Sequence, residues 1–338
     1  MANYSFYLGA TNDNLEAIKA ARVDEIAGIK VFMGSSTGNM LVDDETTLEN
    51  LFQHAPCLIA AHCEDTPTIL ENERTARAEH GENIPFNLHP EIRSREACLL
   101  SSSLAVELAR RHDARLHVLH ITTAEETKLF EPGPVTGKQI TAEACAHHLY
   151  LDDTAYEERG PLIKCNPAIK TQADREAVVR AVNEDRIDVI ATDHAPHTWE
   201  EKQQPYPKSP SGLPAVENSL ALMLNQVNEG RCTLEQVVHW MCDAPARVWD
   251  IVNKGRIEVG YDADLVLVDL EKTAEIRNEE QLSKSGWSPW HGESLTGWPV
   301  RTWVRGHLAY CEGAFNDQQL GSEAQFDHLR GGYWKTGS

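Results

Sequence analysis

The sequence predicts an α/β protein whose main domain is a parallel sheet of the (β/α) barrel type. Apolar runs of strand length alternate with helical segments over residues 4–251, and this alternation counts six βα units. Nearly continuous apolar strands are typical of parallel sheets that helices cover on both faces. A closed (β/α)8 barrel needs eight units, so the barrel is expected to be incomplete here. Polar residues at the ends of four separate strands favour a barrel over an open sheet with one switch point.

Each predicted strand is a short apolar run, and each predicted helix carries apolar residues three or four positions apart. The strands are predicted at 4–8, 28–33, 57–61, 116–121, 138–145 and 187–192. The helices are predicted at 14–22, 45–54, 67–80, 90–111, 172–183, 215–227, 234–242 and 245–251. Asn12 and Asp13 precede the first helix and can cap it.

Beyond residue 254 the pattern changes from helical to β-rich. Residues 255–268 contain glycine-punctuated turns and a β-branched run, and residues 300–311 predict a strand pair with a turn near Gly306. We therefore divide the chain into a barrel domain, residues 1–253, and a β-rich module with a C-terminal tail, residues 254–338. The module is expected to pack beside the barrel and need not take part in the chemistry.

The amino-acid composition limits the classes of molecule that this protein is expected to bind. The net charge of −21 over 338 residues argues against nucleic acid and anionic membrane surfaces. No stretch approaches the roughly 18 continuous apolar residues of a membrane span, and the N-terminus lacks the pattern of a signal peptide. The eight cysteines form no CxxC pair, which is typical of reduced thiols in a cytoplasmic protein. A small molecule is therefore the expected substrate.

Four polar residues at strand ends form the candidate site. Asp193 follows the apolar run 188–190, and Lys30, His62 and His120 each end a similar run. The carboxyl ends of barrel strands meet at one face, so these residues are expected to line one catalytic mouth. An acid and histidines at such a place predict a metal or proton-transfer site rather than a packed core.

Each of the four residues has a chemical interpretation. His62 and His120 can bind zinc as neutral imidazoles, although a single strand-end histidine is more often a packing residue. Lys30 is either an ion-paired lysine at the barrel mouth or a lysine carboxylated by carbon dioxide, whose new carboxylate bridges two metal ions. Asp193 can bind one metal and accept a proton from a metal-bound water. This is the chemistry of amide hydrolysis without a covalent intermediate.

Three other histidines are interpreted as structural. His117 lies three residues before His120, so strand alternation is expected to turn it to the opposite face. His147 and His148 are adjacent in sequence, and we favour a structural role for them over a substrate-facing one.

Seven segments carry a resemblance to a known family. They are Gly28–Met33 (GIKVFM), Ala61–Asp65 (AHCED), His89–Ala97 (HPEIRSREA), Val118–Thr123 (VLHITT), His147–Leu149 (HHL), Lys164–Pro167 (KCNP) and Ala191–His197 (ATDHAPH). Together they resemble the amidohydrolase superfamily and, within it, the dihydroorotases. The resemblance runs from near Tyr4 to about Ala309.

The resemblance implies an amidohydrolase-type (β/α)8 barrel that binds two Zn²⁺ ions. Lys30 would be the carboxylated bridging ligand. His62 and His120 would complete the more exposed metal site. Asp193 would bind the more buried metal and carry the catalytic proton.

The resemblance also implies a substrate and its binding residues. The reaction would be the reversible hydrolysis of (S)-dihydroorotate to N-carbamoyl-L-aspartate in de novo pyrimidine biosynthesis. Asn166 and His197 would hold the substrate ring and its carboxylate. The loop 211–214, which includes Gly212, would contact the ring through its backbone.

One part of the family pattern is absent from this sequence. The family opens with a His-x-His strand that supplies two ligands to the buried metal, and no His-x-His occurs here. The count of six units predicts that the first two βα units are missing, so that Met1 lies where the family begins its third strand. The set of Lys30, His62 and His120 keeps three ligands, whereas Lys30 and Asp193 alone make a poor site. We expect this polypeptide by itself to be unstable or inactive.

Two alternatives stay open. A hydantoinase or allantoinase is the alternative of the same class, and Asn166 with His197 argues against it. A non-catalytic dihydroorotase-like protein that stabilises a partner such as aspartate transcarbamoylase is the alternative of a different class, favoured by the missing His-x-His. A homodimer or such a transcarbamoylase association is the expected assembly.

Overall fold

The main sheet has six parallel strands, as predicted. The computed structural model describes residues 2–34 and 41–328. Within them each strand of this sheet pairs with its chain neighbours, in the order β1 to β6. The strands are β1 (Tyr7–Gly9), β2 (Gly28–Phe32), β3 (Ile59–His62), β4 (Leu116–Val118), β5 (Ile140–Cys145) and β6 (Val189–Ala191). The two edge strands, β1 and β6, each have one partner among the described residues, so the sheet is an incomplete barrel there.

Helices connect and cover these strands. They are α1 (Leu15–Lys19), α2 (Glu45–His54), α3 (Thr66–His80), α4 (His89–Ile92), α5 (Arg95–His112), α6 (Ala146–Tyr150), α7 (Tyr156–Arg159), α8 (Gln172–Asn183), α9 (Trp199–Lys202), α10 (Ser219–Asn228), α11 (Leu234–Val238) and α12 (Ala244–Val248). A π-helical turn at His239–Asp243 joins the last two. The apolar core lies between the helices and the sheet, with Ile29, Val31 and Ile59 fully buried in it.

Side-chain caps determine where the longer helices begin. Asp44 caps α2, Asp65 caps α3, Ser94 caps α5 and Thr171 caps α8, each by accepting a hydrogen bond from a backbone N–H of the first turn. The cap at Ser94 also explains a difference from the sequence prediction. The single helix predicted over 90–111 is two helices, because Ser94 leaves the helical conformation to cap the second one.

A second, antiparallel sheet follows the barrel strands. It has the order β10-β9-β8-β7 and contains β7 (Leu265–Glu275), β8 (Ser294–Val304), β9 (His307–Cys311) and β10 (Ala314–Phe315). The predicted strand pair with a turn near Gly306 is confirmed by β8 and β9. The predicted domain boundary at 253/254 stays a prediction.

The second sheet packs against helix α10 and is hydrogen-bonded to it. The side chain of Asn228 donates to the carbonyl oxygens of Leu270 and Thr296, at 3.0 and 2.9 Å. The backbone at Gly297 lies so close to α10 that a Cβ there would come within 2.7 Å of Leu224 Cβ. In the part of the chain that the structure describes, no helix is long and apolar enough to cross a membrane.

Candidate metal centre and substrate loops

Three of the four candidate residues lie at or just beyond the carboxyl end of a strand, whereas Lys30 lies in the middle of one. Lys30 lies in β2, His62 is the last residue of β3, and His120 and Asp193 each follow the end of a strand by two residues. His120 and Asp193 have positive φ angles of 40° and 42°, a conformation that non-glycine residues seldom adopt. Such strain is common where a site fixes the direction of a side chain.

His62 and His120 form the best-defined part of the site. Nδ1 of His62 lies 3.0 Å from Nε2 of His120, and both side chains are almost fully buried. Burial lowers the pKa of both imidazoles, which keeps them neutral. Two nitrogen ligands, each about 2.0–2.1 Å from one tetrahedral zinc ion, are about 3.3 Å apart, which is close to the observed distance. The pair therefore fits a zinc ion by both spacing and protonation, and we name it the His62–His120 pair.

Glu64 lies beside the ring of His62. Its carboxylate is fully buried and its Oε2 lies 3.1 Å from Nε2 of His62. Arg93 forms an ion pair with the same oxygen. Burial alone would raise the pKa of Glu64, but the charge of Arg93 and the contact with His62 hold it well below its usual range. A carboxylate at this position favours a proton on Nε2 of His62, but the contact lacks hydrogen-bond geometry, since Nε2 has no hydrogen-bond partner among the described residues.

Lys30 and Asp193 influence each other through their charges. Nζ of Lys30 lies 4.6 Å from the ring centroid of Phe32, and burial lowers its pKa against the opposing charges of Glu143 and Asp193. Burial, followed by the charge of Glu143, raises the pKa of Asp193 to about 6, while Lys30 opposes this rise. Asp193 is thereby suited to exchange a proton near neutral pH.

Glu143 is a buried carboxylate near the site that sequence reasoning missed. It lies in β5, and its Oε2 is 3.1 Å from Nε2 of His117. Nδ1 of His117 bonds to Thr141 at 2.8 Å, so this histidine has a partner at each ring nitrogen. Strand alternation predicted that His117 and His120 face opposite sides of the sheet. This reasoning does not apply to His120, because β4 ends at Val118 and His120 lies beyond it with a positive φ. The sequence signal that could have identified Glu143 is an acidic residue two positions before the end of an apolar strand.

The three predicted substrate-binding residues lie on loops that contact one another. The backbone N–H of Gly212 donates to the carbonyl of Lys164 at 2.9 Å, two residues before Asn166. Nε2 of His197 lies 3.2 Å from the carbonyl oxygen of Ser211. Oδ1 of Asn166 is buried without a hydrogen-bond partner among the described residues. The structure therefore brings these loops together and leaves one amide oxygen available for a ligand.

A buried lysine holds these loops in place. Nζ of Lys202 donates to the carbonyl oxygens of Lys164, Pro210 and Gly212 at 2.9–3.0 Å. Its side chain is fully buried, and burial lowers its pKa to about 7. Sequence reasoning missed Lys202, because nothing near it in sequence distinguishes it from a surface lysine at the end of α9.

Comparison with known proteins agrees with the fold. The model of the amidohydrolase family matches residues 48–309. The chain is 33% identical over 287 residues to a dihydroorotase of Methanosphaera stadtmanae, covering 83% of this chain and 64% of that protein. It is 31% identical over 297 residues to a dihydroorotase of Methanothermobacter thermautotrophicus, covering 86% of this chain and 67% of that protein.

A solved structure shows the same fold. The L-hydantoinase (dihydropyrimidinase) from Arthrobacter aurescens superimposes with a TM-score of 0.89 at 26% identity, covering 96% of this chain and 73% of that one. The chain spans about two thirds of the length of the two dihydroorotases. The family match, which covers most of the sequence, and the dihydroorotase relatives place this chain in the amidohydrolase family, in its dihydroorotase branch.

Proposed function

We propose that this chain carries the metal-binding and proton-transfer residues of a dihydroorotase. The reaction is the reversible, zinc-dependent hydrolysis of (S)-dihydroorotate to N-carbamoyl-L-aspartate, a step of pyrimidine biosynthesis. The observation that carries the proposal is the His62–His120 pair, whose nitrogens are 3.0 Å apart at the carboxyl edge of the sheet. The relatives named dihydroorotase support this substrate over hydantoin or allantoin.

The proposed roles of the residues follow from their surroundings. His62 and His120 would bind Zn²⁺ through Nδ1 and Nε2, with Glu64 holding the first ring. Burial lowers the pKa of Lys30, which favours the free amine that reacts with carbon dioxide, and its carboxylated form would be a further ligand. The bound zinc would supply an acidified water and polarise the amide carbonyl. Asp193 would accept and return the proton, since its pKa lies near 6.

The substrate would lie against the loops beside this centre. Asn166 offers its unpaired Oδ1 to a ring N–H, and His197 would face the substrate carboxylate. Gly212 would let the backbone approach the ring, because its φ of +130° and its contact with Ala195 leave no room for a Cβ. The predicted homodimer, transcarbamoylase association and cytoplasmic location stay predictions.

The experiment is a substrate panel with the zinc-loaded chain in bicarbonate. Binding is measured by calorimetry and ring opening by absorbance, with dihydroorotate, hydantoin and allantoin compared. We expect dihydroorotate to bind in preference to the other two. Asp193→Asn should abolish any turnover, and Asp185→Asn is the matched control, since Asp185 also has a positive φ, of 53°, and is exposed.

The outcomes separate the alternatives. A preference for hydantoin would refute the dihydroorotase assignment. Binding of dihydroorotate without turnover would agree with the inactivity predicted from the missing His-x-His and would favour the non-catalytic alternative. Equal turnover by Asp193→Asn and the parent chain would refute the role of Asp193.

A further inference from the structure

Three buried side chains that the proposed reaction does not use form a second cluster. Cys145 is the last residue of β5, and His147 and His148 lie in helix α6, which follows it directly. One ligand atom from each residue lies within 4.8 Å of the others. All three residues are at most 4% exposed. We name this group the Cys145 cluster.

The histidines of this cluster lack the hydrogen bonds expected of buried imidazoles. Nδ1 and Nε2 of His147, and Nδ1 of His148, are buried without a partner among residues 2–34 and 41–328. A buried polar group without a partner costs about 1–3 kcal/mol. Only Nε2 of His148 has an acceptor, the carbonyl oxygen of Pro167 at 3.2 Å.

Other buried histidines of this chain show what a structural role looks like. His117 bonds to Thr141 and Glu143 through its two ring nitrogens. His89 bonds to Tyr206 and to the carbonyl oxygen of Cys165 in the same way. His147 is as deeply buried as these two, yet has neither bond. Packing alone therefore does not explain why an imidazole occupies position 147.

We propose that Cys145, His147 and His148 bind a thiophilic divalent cation, with Zn²⁺ as the expected occupant. One thiolate and two neutral imidazoles are a ligand set that zinc accepts. On binding, the thiol proton of Cys145 is released to solvent and each imidazole donates a lone pair. This cluster shares no residue with the His62–His120 pair, and its metal binding does not depend on the proposed function.

The geometry needs a small adjustment to close around the ion. Zinc lies about 2.3 Å from a sulfur ligand and about 2.0–2.1 Å from a nitrogen ligand, so the ligand atoms of a tetrahedral site are roughly 3.5 Å apart. The ligand atoms lie within 4.8 Å of one another, so the three side chains would have to move closer together to close around the ion. Cys165 lies nearby as well, with its Sγ 3.8 Å from Nε2 of His148.

The sulfur ligand makes the proposal testable apart from catalysis. Lys30, His62, His120 and Asp193 include no cysteine, so a metal–thiolate signal would not come from those ligands. Cobalt(II) added to the metal-free full chain should give a thiolate-to-cobalt charge-transfer band in the near ultraviolet. Cys145→Ser should lose this band and about one equivalent of bound metal. Cys98→Ser is the matched control, because Cys98 is also fully buried, and it should keep both.

A second measurement tests for a sulfur ligand even if Cys145→Ser does not fold. X-ray absorption of the zinc-loaded parent chain should show sulfur scattering at about 2.3 Å. A zinc shell with only nitrogen and oxygen would overturn the proposal. Retention of the cobalt band in a folded Cys145→Ser variant, or its loss in Cys98→Ser, would overturn it as well. Failure of the dihydroorotate assay would leave these spectra unchanged.

Discussion

Removal of the guanidinium of Arg93 should destabilise the protein strongly. The carboxylate of Glu64 is fully buried, and the side chain of Arg93 beside it is 13% exposed. In Arg93→Met the carboxylate keeps its burial but loses this cation, and breaking a buried pair costs about 3–5 kcal/mol. At about 2.1 cal/mol/K per residue, the unfolding entropy of 338 residues is about 0.7 kcal/mol/K. The melting temperature should therefore fall by roughly 4–7 °C.

The destabilisation caused by Arg93→Met should depend on pH. In the parent chain the pKa of Glu64 is lowered from 4.5, so the ionised carboxylate contributes stability above pH 4.5, and this contribution is lost as the pH falls through the lowered pKa. In Arg93→Met, burial should raise the pKa of Glu64 instead. The difference in melting temperature between variant and parent should then be largest near pH 7 and shrink towards pH 5.

Scanning calorimetry at pH 7 and pH 5 measures the effect against two comparison variants. Arg74→Met is the matched control, because Arg74 and Glu71 form a pair exposed by 74% and 59%, and solvent screens such a pair so that its loss should change the melting temperature little. Glu64→Gln added to Arg93→Met should recover part of the loss, since it removes the unpaired charge. A loss in Arg93→Met that is no larger than in Arg74→Met, or equal at both pH values, would refute the reasoning.

Three further predictions follow from single residues. Gly212→Ala should lower the melting temperature more than Gly133→Ala does. A Cβ at Gly212 would lie 2.4 Å from the carbonyl oxygen of Ala195, whereas a Cβ at Gly133, which also has a positive φ, would meet open space. Equal losses of melting temperature in the two variants would contradict this reasoning. Lys202 has its pKa lowered to about 7, so its contribution to stability should rise as the pH increases from 7 to 10, and Lys202→Met should flatten this rise in urea unfolding. Chelation of zinc should lower the melting temperature of the His120→Ala variant less than that of the parent chain, as a thermal-shift assay would show.

Local sequence signals predicted helices well where a cap and an apolar face coincide. Helices α2 and α8 begin and end at the predicted residues, since Asp44 and Thr171 are strong caps before amphipathic segments. Strand ends were less predictable. The strand predicted over 116–121 stops at Val118, because the positive φ of His120 depends on the site and not on local propensity.

The candidate ligands were predictable because each lies at the end of an apolar run, but their partners were not. Glu64 and Arg93 are 29 residues apart, and Lys202 and Lys164 are 38 residues apart. No spacing rule joins residues at such distances, because the fold alone decides which loops meet. Glu143 was missed for the same reason, since its importance comes from its charge acting on Lys30 and Asp193 across the sheet.

A candidate ligand is held more firmly when its strand lies inside the sheet than when its strand lies at an edge of the sheet. Lys30, His62 and His120 belong to or follow β2, β3 and β4, and each of these strands is paired on both sides. Asp193 follows β6, which is paired only with β5 in the described part of the chain. Edge strands open more easily, because fewer hydrogen bonds must break. The three candidate ligands are therefore supported by the sheet itself, whereas Asp193 depends on what packs beyond β6, and metal binding should survive perturbations that displace Asp193.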